Sequence, residues 1–180
     1  MEEIDEKILA AAKNKNFKAF EAILSYYEKA IFNYIFRLVN HKQDAEDLAQ
    51  ETFIKVYAHL DSINPEKNFR AWLYKIATNV VYDWFRKKGV HTELFIIDDP
   101  LAGFETIDEE STYLKIERTQ DLLEALGRIR PIYRTVLELF YHQGFNYEEI
   151  TQLLAIPLNT VKTHLFRAKK ALKQALERGS

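Results

Sequence analysis

YEEITQLLAIPLNTVKTHLFRAKKAL, residues 147–172, is the stretch that decides the fold. Asn146 stands just before it and Glu149 three positions later, the spacing of a capping box that opens a helix. Pro157 breaks that helix, and NTVKTHLFRAKKALKQALER begins another. A short helix, a tight turn and a longer basic helix give the spacing of a helix-turn-helix. That pattern asks for a small residue in the first helix, a glycine in the turn and an aliphatic anchor in the second. Thr151, Ala155 and Val161 occupy those positions. In the second helix, Val161, Leu165, Ala168, Leu172 and Leu176 are expected to be buried. Asn159, Thr160, Lys162, Thr163, Phe166, Arg167, Lys170 and Lys173 are expected to face outward. The N-terminal end of such a helix reaches base edges in the major groove. Asn and Arg pair bidentately with adenine and guanine edges, and Lys suits phosphate or guanine. The plainer alternative is a basic helix that meets only water, but the capped helix and turn before it favour DNA.

Moving upstream, Leu122, Leu126 and Ile129 mark one helix. Pro131 suits the first turn of the next, PIYRTVLELFYHQ, and Gly144 can end it. Residues 91–112 hold seven acidic residues, no Lys or Arg, and both Pro100 and Gly103. With no helical stripe, they are expected to form an acidic flexible linker. Before the linker lies FRAWLYKIATNVVYDWFRKK, with six aromatic and five basic residues and both tryptophans of the chain. Phe69, Leu73, Ile76, Val80 and Trp84 make its expected buried stripe. Lys75, Asn79, Tyr82 and Arg86 recur along another face. Cations hold phosphates, a ring supports a base and an amide reads a base edge, so that face suits a nucleic acid strand.

HKQDAEDLAQETFIKVYAHL is a further helix, with Asp44 as its expected N-cap and Ala49, Phe53, Val56 and Leu60 as its buried stripe. Asp47, Gln50, Glu51 and Ile54 face the other way, and an apolar Ile54 in a polar face suits a protein partner. Phe20, Leu24, Tyr27, Ile31, Tyr34 and Leu38 predict a long helix over residues 16–39. The fold class is therefore all-α. A helical bundle over 1–90 and a helix-turn-helix domain over 113–180 are joined by a linker over 91–112.

Composition sets the outer limits. With 180 residues of which 47% are apolar, the chain can bury a real core. It has no cysteine, which excludes disulfides and thiolate metal sites. The formal charge of −2 hides two basic helices around an acidic stretch. The N-terminus MEEIDEK is acidic, unlike a secretory signal, and no apolar run approaches a membrane span. These features point to a cytoplasmic protein. The histidines are scattered, and glycine-rich phosphate loops and Ser/His/Asp signatures are missing. No enzyme activity, cofactor or metal is expected.

In order along the chain, DAEDLAQETFIKVY, FRAWLYKIATNVVYDWFRKK, the linker and YRTVLELFYHQGFNYEEITQLLAIPLNTVKTHLFRAKKAL resemble the parts of an extracytoplasmic-function (ECF) sigma factor. This is the small two-domain group of the sigma-70 superfamily of bacteria. The resemblance implies a promoter-specific initiation factor for bacterial RNA polymerase. It implies that Asp47, Gln50, Glu51 and Ile54 dock on the clamp helices of the largest polymerase subunit. It gives Lys75, Asn79, Tyr82 and Arg86 to a −10-type element, with Asn79 reading an extruded base in a pocket lined by residues 61–70. It gives the helix-turn-helix to a −35-type element and the linker to a path near the RNA exit. The implied partners are core polymerase, promoter DNA as duplex and melted strand, and an anti-sigma factor that masks the polymerase-binding surfaces and can be membrane-bound. No direct membrane insertion by this chain is expected. The chain departs from the family pattern at Arg130, Ala155, Asn159, His164 and Phe166. Of these, Asn159 tolerates a left-handed backbone. A conventional helix-turn-helix repressor or activator with a ligand-binding or dimerising bundle is the rival assignment.

Overall fold

The structure is a computed structural model that describes residues 4–64, 67–90 and 119–178. The linker expected over 91–112 lies outside the described residues, as do two positions of the 61–70 loop. Among the described residues there is helix and no strand. The chain divides into two compact units, Met1–Val90 and His91–Ser180.

In the first unit, α1 spans Glu6–Lys13, and the Asp5 carboxylate accepts from the Lys7 N–H at its start. Helix α2, Phe17–Val39, is capped by Asn16 and stops at Asn40, whose φ of 53° an asparagine tolerates better than most residues. Its core row is Ile23, Tyr27, Ile31, Tyr34, Ile35 and Leu38, whereas Phe20 and Leu24 are only half-buried. Helix α3, Lys42–Ala58, starts one turn earlier than expected. Its cap is His41, whose Nδ1 accepts the Asp44 N–H at 3.3 Å. Asp44 instead sits inside the first turn, where a carboxylate favours the helix N-terminus. The row Ala49, Phe53, Val56 and Leu60 is buried as its spacing predicts.

A 3₁₀ turn at Leu60–Ser62 leads on to α4, Phe69–Lys87, capped by Asn68. Helix α4 packs against both α2 and α3. Its buried arc is correspondingly wide and takes in Tyr74, Ala77, Thr78, Val81 and Phe85. Ile76 and Trp84, expected inside, are half-buried. Within the core, Thr78 Oγ1 donates to the Tyr74 carbonyl and lies 2.8 Å from the Tyr34 hydroxyl, so the buried hydroxyls are satisfied.

In the second unit, α5 is Thr119–Arg128 and α6 is Pro131–Leu137, continued by a π-helical turn over Glu138–His142. Pro131 is in the first turn of α6, as expected. Every residue of α6 is buried, so it forms the centre of the unit. Arg134 is tied in by Nε donating to the Ile129 carbonyl at 3.2 Å. Gly144, at φ +68°, follows the π turn. Helix α7, Tyr147–Leu154, opens on the full Asn146–Glu149 capping box, with both bonds at 2.9 Å. The left-handed residue of the turn is Ala155, at φ 55°. Asn159 lies inside α8, Leu158–Glu177, and needs no such tolerance.

Candidate protein and nucleic-acid interfaces

On α3, Asp47, Gln50 and Ile54 face solvent, with Ile54 68% exposed, and Glu51 is half-exposed beside them. The stripe borders a mainly apolar groove of about 960 Å³ between α2 and α3. Gln50 and Ile54 form part of its wall, facing Phe17, Phe20 and Leu24. Phe17 is 66% exposed and Tyr57 45%. Sequence reasoning missed both. Tyr57 follows Ile54 by three positions, and that step was the available signal. Glu28, Lys29 and Glu46 supply charge on the groove's walls.

On α4, Lys75, Asn79 and Arg86 form a narrow exposed arc. Tyr82 does not belong to it. It is 5% exposed, with its ring 6.4 Å from that of Phe85. The buried arc, widened by packing on two sides, reaches position 82 before the polar arc begins. Trp72, Ile76 and Asp83 share a helix flank, all half-buried, with the Trp72 ring against that of Phe69. Ion pairs run from the exposed stripe of α3 to this arc. Glu51 lies 3.1 Å from Lys55, Lys55 lies 3.6 Å from Asp83, and Asp83 pairs with Arg86. Separately, Lys88 lies 3.7 Å from Asp44 of α3.

On α8, Asn159 and Lys170 are exposed and Lys162, Thr163, Phe166 and Arg167 half-exposed, all clear of the buried row. Thr160 is the exception, at 7% exposure. It heads the row 160, 164, 168 and 172, whose members Thr160, His164, Ala168 and Leu172 are all buried. The Thr163 hydroxyl donates back to the Asn159 carbonyl, which leaves the Asn159 amide free of that bond. Val161, Leu165, Ala168 and Leu172 are inside as expected, while Ala175 is more deeply buried than Leu176. Among the described residues, no group of three His, Asp or Glu side chains could hold a metal, and no helix is long and apolar enough to cross a membrane.

Two family models match the chain, Sigma-70 region 2 over residues 23–90 and Sigma-70, region 4 over residues 119–172. The ECF RNA polymerase sigma factor SigW of Bacillus subtilis is 31% identical over 98% of this chain and 98% of its own length. YlaC, a sigma factor of the same organism, is 32% identical over 89% of this chain and 93% of its own. The chain belongs to the ECF sigma factors. Among solved structures, the sigma factor RpoE of Bartonella quintana, in complex with the anti-sigma factor NepR, superposes with a TM-score of 0.67 at 27% identity. That match covers 89% of this chain and 98% of RpoE. CnrH, solved with the cytosolic domain of CnrY, shares the fold at a TM-score of 0.72 and 22% identity. This ECF sigma factor serves promoter-specific transcription initiation by RNA polymerase, which sets aside a conventional repressor or activator.

Proposed function

We propose that residues 1–90 dock on core polymerase and capture the melted −10-type element, and that residues 113–180 read the duplex −35-type element. Residues 91–112 join the two. The observation that carries this is the ion-pair chain Glu51–Lys55–Asp83–Arg86, which links the exposed stripe of α3 to the polar arc of α4 within one unit. In this reading, Asp47, Gln50, Glu51 and Ile54 meet the clamp helices, and the adjoining apolar groove extends the surface. The N-terminal end of α8 enters the major groove, with Asn159 and Arg167 toward base edges and Lys170 toward phosphates. Asn79 holds an extruded base, and Lys75 and Arg86 hold the strand. Binding energy thus offsets the few kcal/mol that unstacking costs, and no hydrolysis step is needed. We assign the chain no catalysis of its own and place it in the cytoplasm beside polymerase.

An anti-sigma factor is the remaining partner. The complex of RpoE with NepR supports it, and so does the exposed apolar wall of Phe17, Ile54 and Tyr57, which a regulator can cover as well as polymerase can.

Transcription with sigma-free core polymerase across a promoter library is the direct test. RNA synthesis should depend on this chain and select templates by −35- and −10-type sequences. Charge reversal in Asp47→Lys/Glu51→Lys should weaken core binding by tenfold or more, about 1.4 kcal/mol, with helicity and thermal unfolding nearly unchanged. Undiminished affinity for core in that double variant removes the α3 stripe from the docking surface.

A further inference from the structure

Helix α1 carries a surface that none of the roles above uses. Glu6, Ala10 and Lys13 repeat at steps of four and three, and Lys7 stands beside Glu6. The opposite side, through Leu9 and Ala12, is buried. The helix packs on α2 and on the 3₁₀ turn at Leu60–Ser62. An open cleft of about 580 Å³ lies between them, with those four α1 residues on one wall and Ser62, Ile63 and Asn64 on the other. The second wall has a fixed shape. The Ser62 hydroxyl donates to the His59 carbonyl at 2.7 Å, the Ile63 N–H to the Leu60 carbonyl at 3.2 Å and the Lys67 N–H to the Asn64 carbonyl at 3.0 Å. Leu60 and Ile63 are buried and anchor it. The cleft is therefore preformed, which lowers the ordering cost of filling it. Its volume is that of a small-ligand site.

The charges of the cleft are set end to end. Glu6 and Lys13 are about 10.5 Å apart along the helix axis, so a carboxylate stands at one end and a cation at the other. Lys7, beside Glu6, offsets part of the carboxylate's field. A nucleotide is polar in the same sense, with an anionic phosphate at one end and a base edge at the other. An ammonium suits the phosphate, and a carboxylate accepts from an exocyclic amino group. Lys15 and Lys18, both exposed, continue the cationic end into the junction with α2. Ser62, Ile63 and Asn64 belong to the 61–70 loop, which runs on to Asn68, the cap of α4. Asn79 is about 16 Å along α4 from that cap, so the cleft meets a neighbouring nucleotide and not the base assigned to Asn79.

We propose that the cleft between α1 and residues 62–64 takes one nucleotide of the melted strand next to the captured base, with Lys13 on its phosphate and Glu6 accepting from an exocyclic amino group of its base. The proposal rests on the reading that the first unit captures a base of the melted strand beside the 61–70 loop, and it adds α1 to that surface.

Holoenzyme affinity for single-stranded −10-type oligonucleotides is measured over a salt series, with an abasic site stepped along the strand. An abasic site at the captured base, and one at a flanking position, should each weaken binding about tenfold. At the flanking position the parent should prefer adenine or cytosine to thymine, which has no exocyclic amino group. Glu6→Gln should abolish that preference, because an amide both donates and accepts. Lys13→Gln should lower the slope of log K against log salt by about 0.7, the value for one phosphate of a single strand. Lys13→Arg should restore the slope, which a loss of folding could not do. An unchanged slope in Lys13→Gln, or indifference to the base at every flanking position, overturns the cleft site. So does weakened core binding with strand affinity intact, which would make α1 a polymerase contact. Saturable binding of adenosine monophosphate that leaves strand affinity untouched overturns it too, in favour of a free small ligand. The abasic series separates this result from the reading beneath it. If no position costs affinity, base capture by the first unit fails. If the captured base does and no position depends on Glu6 or Lys13, only the cleft site fails.

Discussion

Helices α4 and α8 are both basic and both assigned to promoter DNA, yet they hold their cations differently. On α4, Arg86 pairs with Asp83, and Lys88, just past the helix end, lies 3.7 Å from Asp44 and 4.6 Å from the Trp84 ring centre. On α8, Lys162 and Lys169 lie over tyrosine rings. A carboxylate competes directly with an incoming phosphate, and a ring does not. Part of the charge of α4 is therefore already spoken for, while the Lys162 ammonium of α8 lies over a ring. Their packing differs as well. Helix α4 is held on two sides and exposes a narrow arc, so its polar residues occupy few positions. On α8, which packs on α5, α6 and α7, the buried arc from Thr160 to Leu165 is narrower and leaves more of the circumference exposed.

Asn79→Ala should have the largest effect, because it removes the group that compensates an extruded base. Strand opening should fall by the equivalent of a few kcal/mol, and base preference at one position should vanish. Core binding and closed-complex formation should survive, since Asn79 is outside the core. On a template already mismatched over that segment, the defect should largely disappear. Permanganate reactivity of promoter thymines reports the opening. Normal opening with normal preference would move the base-reading role into the 61–70 loop.

Arg167→Ala comes next and acts on the other helix. It should cost about 1–3 kcal/mol in closed-complex formation and relax selection at one −35-type position. Mismatched templates should not rescue it, because it acts before opening. A defect cured by premelting would erase the division of labour between α4 and α8.

The misses in reading the sequence have local causes. Capping residues and breakers act over a few positions, so the Asn146–Glu149 box and Pro131 were legible. Helical spacing also marked the core of α3 and α8. It could not show that α4 packs on two sides, which is what buries Tyr82. Nor could it show that Thr160 joins the row containing His164. Phe20 and Leu24 keep the spacing of a core stripe but line a groove, because periodicity cannot tell a filled interior from a wall awaiting a partner. His41 was overlooked as a cap because its imidazole nitrogen does what Asp or Ser usually does.

Ala155→Gly should have a smaller effect, on stability. Ala155 is exposed, so its methyl group contributes little packing, yet it holds φ at 55°. Relief of that conformation should stabilise the second unit by about 1 kcal/mol. Its unfolding midpoint should rise by about 4–8 °C, the scale for a domain of this size. The DNA-binding surface should not change, so affinity for duplex should stay level. An unchanged or lowered midpoint would show that the turn accommodates alanine without strain.

Asp83→Asn tests the contrast between carboxylate and ring most directly and should have the smallest effect. Asp83 contacts both Lys55 and Arg86, and its side chain is 37% exposed, so solvent screens both pairs. Exposed pairs of this kind contribute about 0.2–1 kcal/mol. Asparagine keeps the size and polarity but removes the charge that competes with phosphate. Lys55 still has Glu51 at 3.1 Å, so the stripe proposed for docking keeps its own pair and core binding should hold. Arg86 is released toward the strand. Holoenzyme affinity for a single-stranded −10-type oligonucleotide should then rise about two- to threefold at low salt, the equivalent of about 0.5 kcal/mol. The gain should fade as salt rises, because added ions screen Asp83 in the parent protein as well. Duplex binding through α8 should show no such gain, since Asp83 and Arg86 both lie on α4. An equal gain on duplex DNA, or one that persists at high salt, would mean that Asp83 restrains something other than the charge of Arg86.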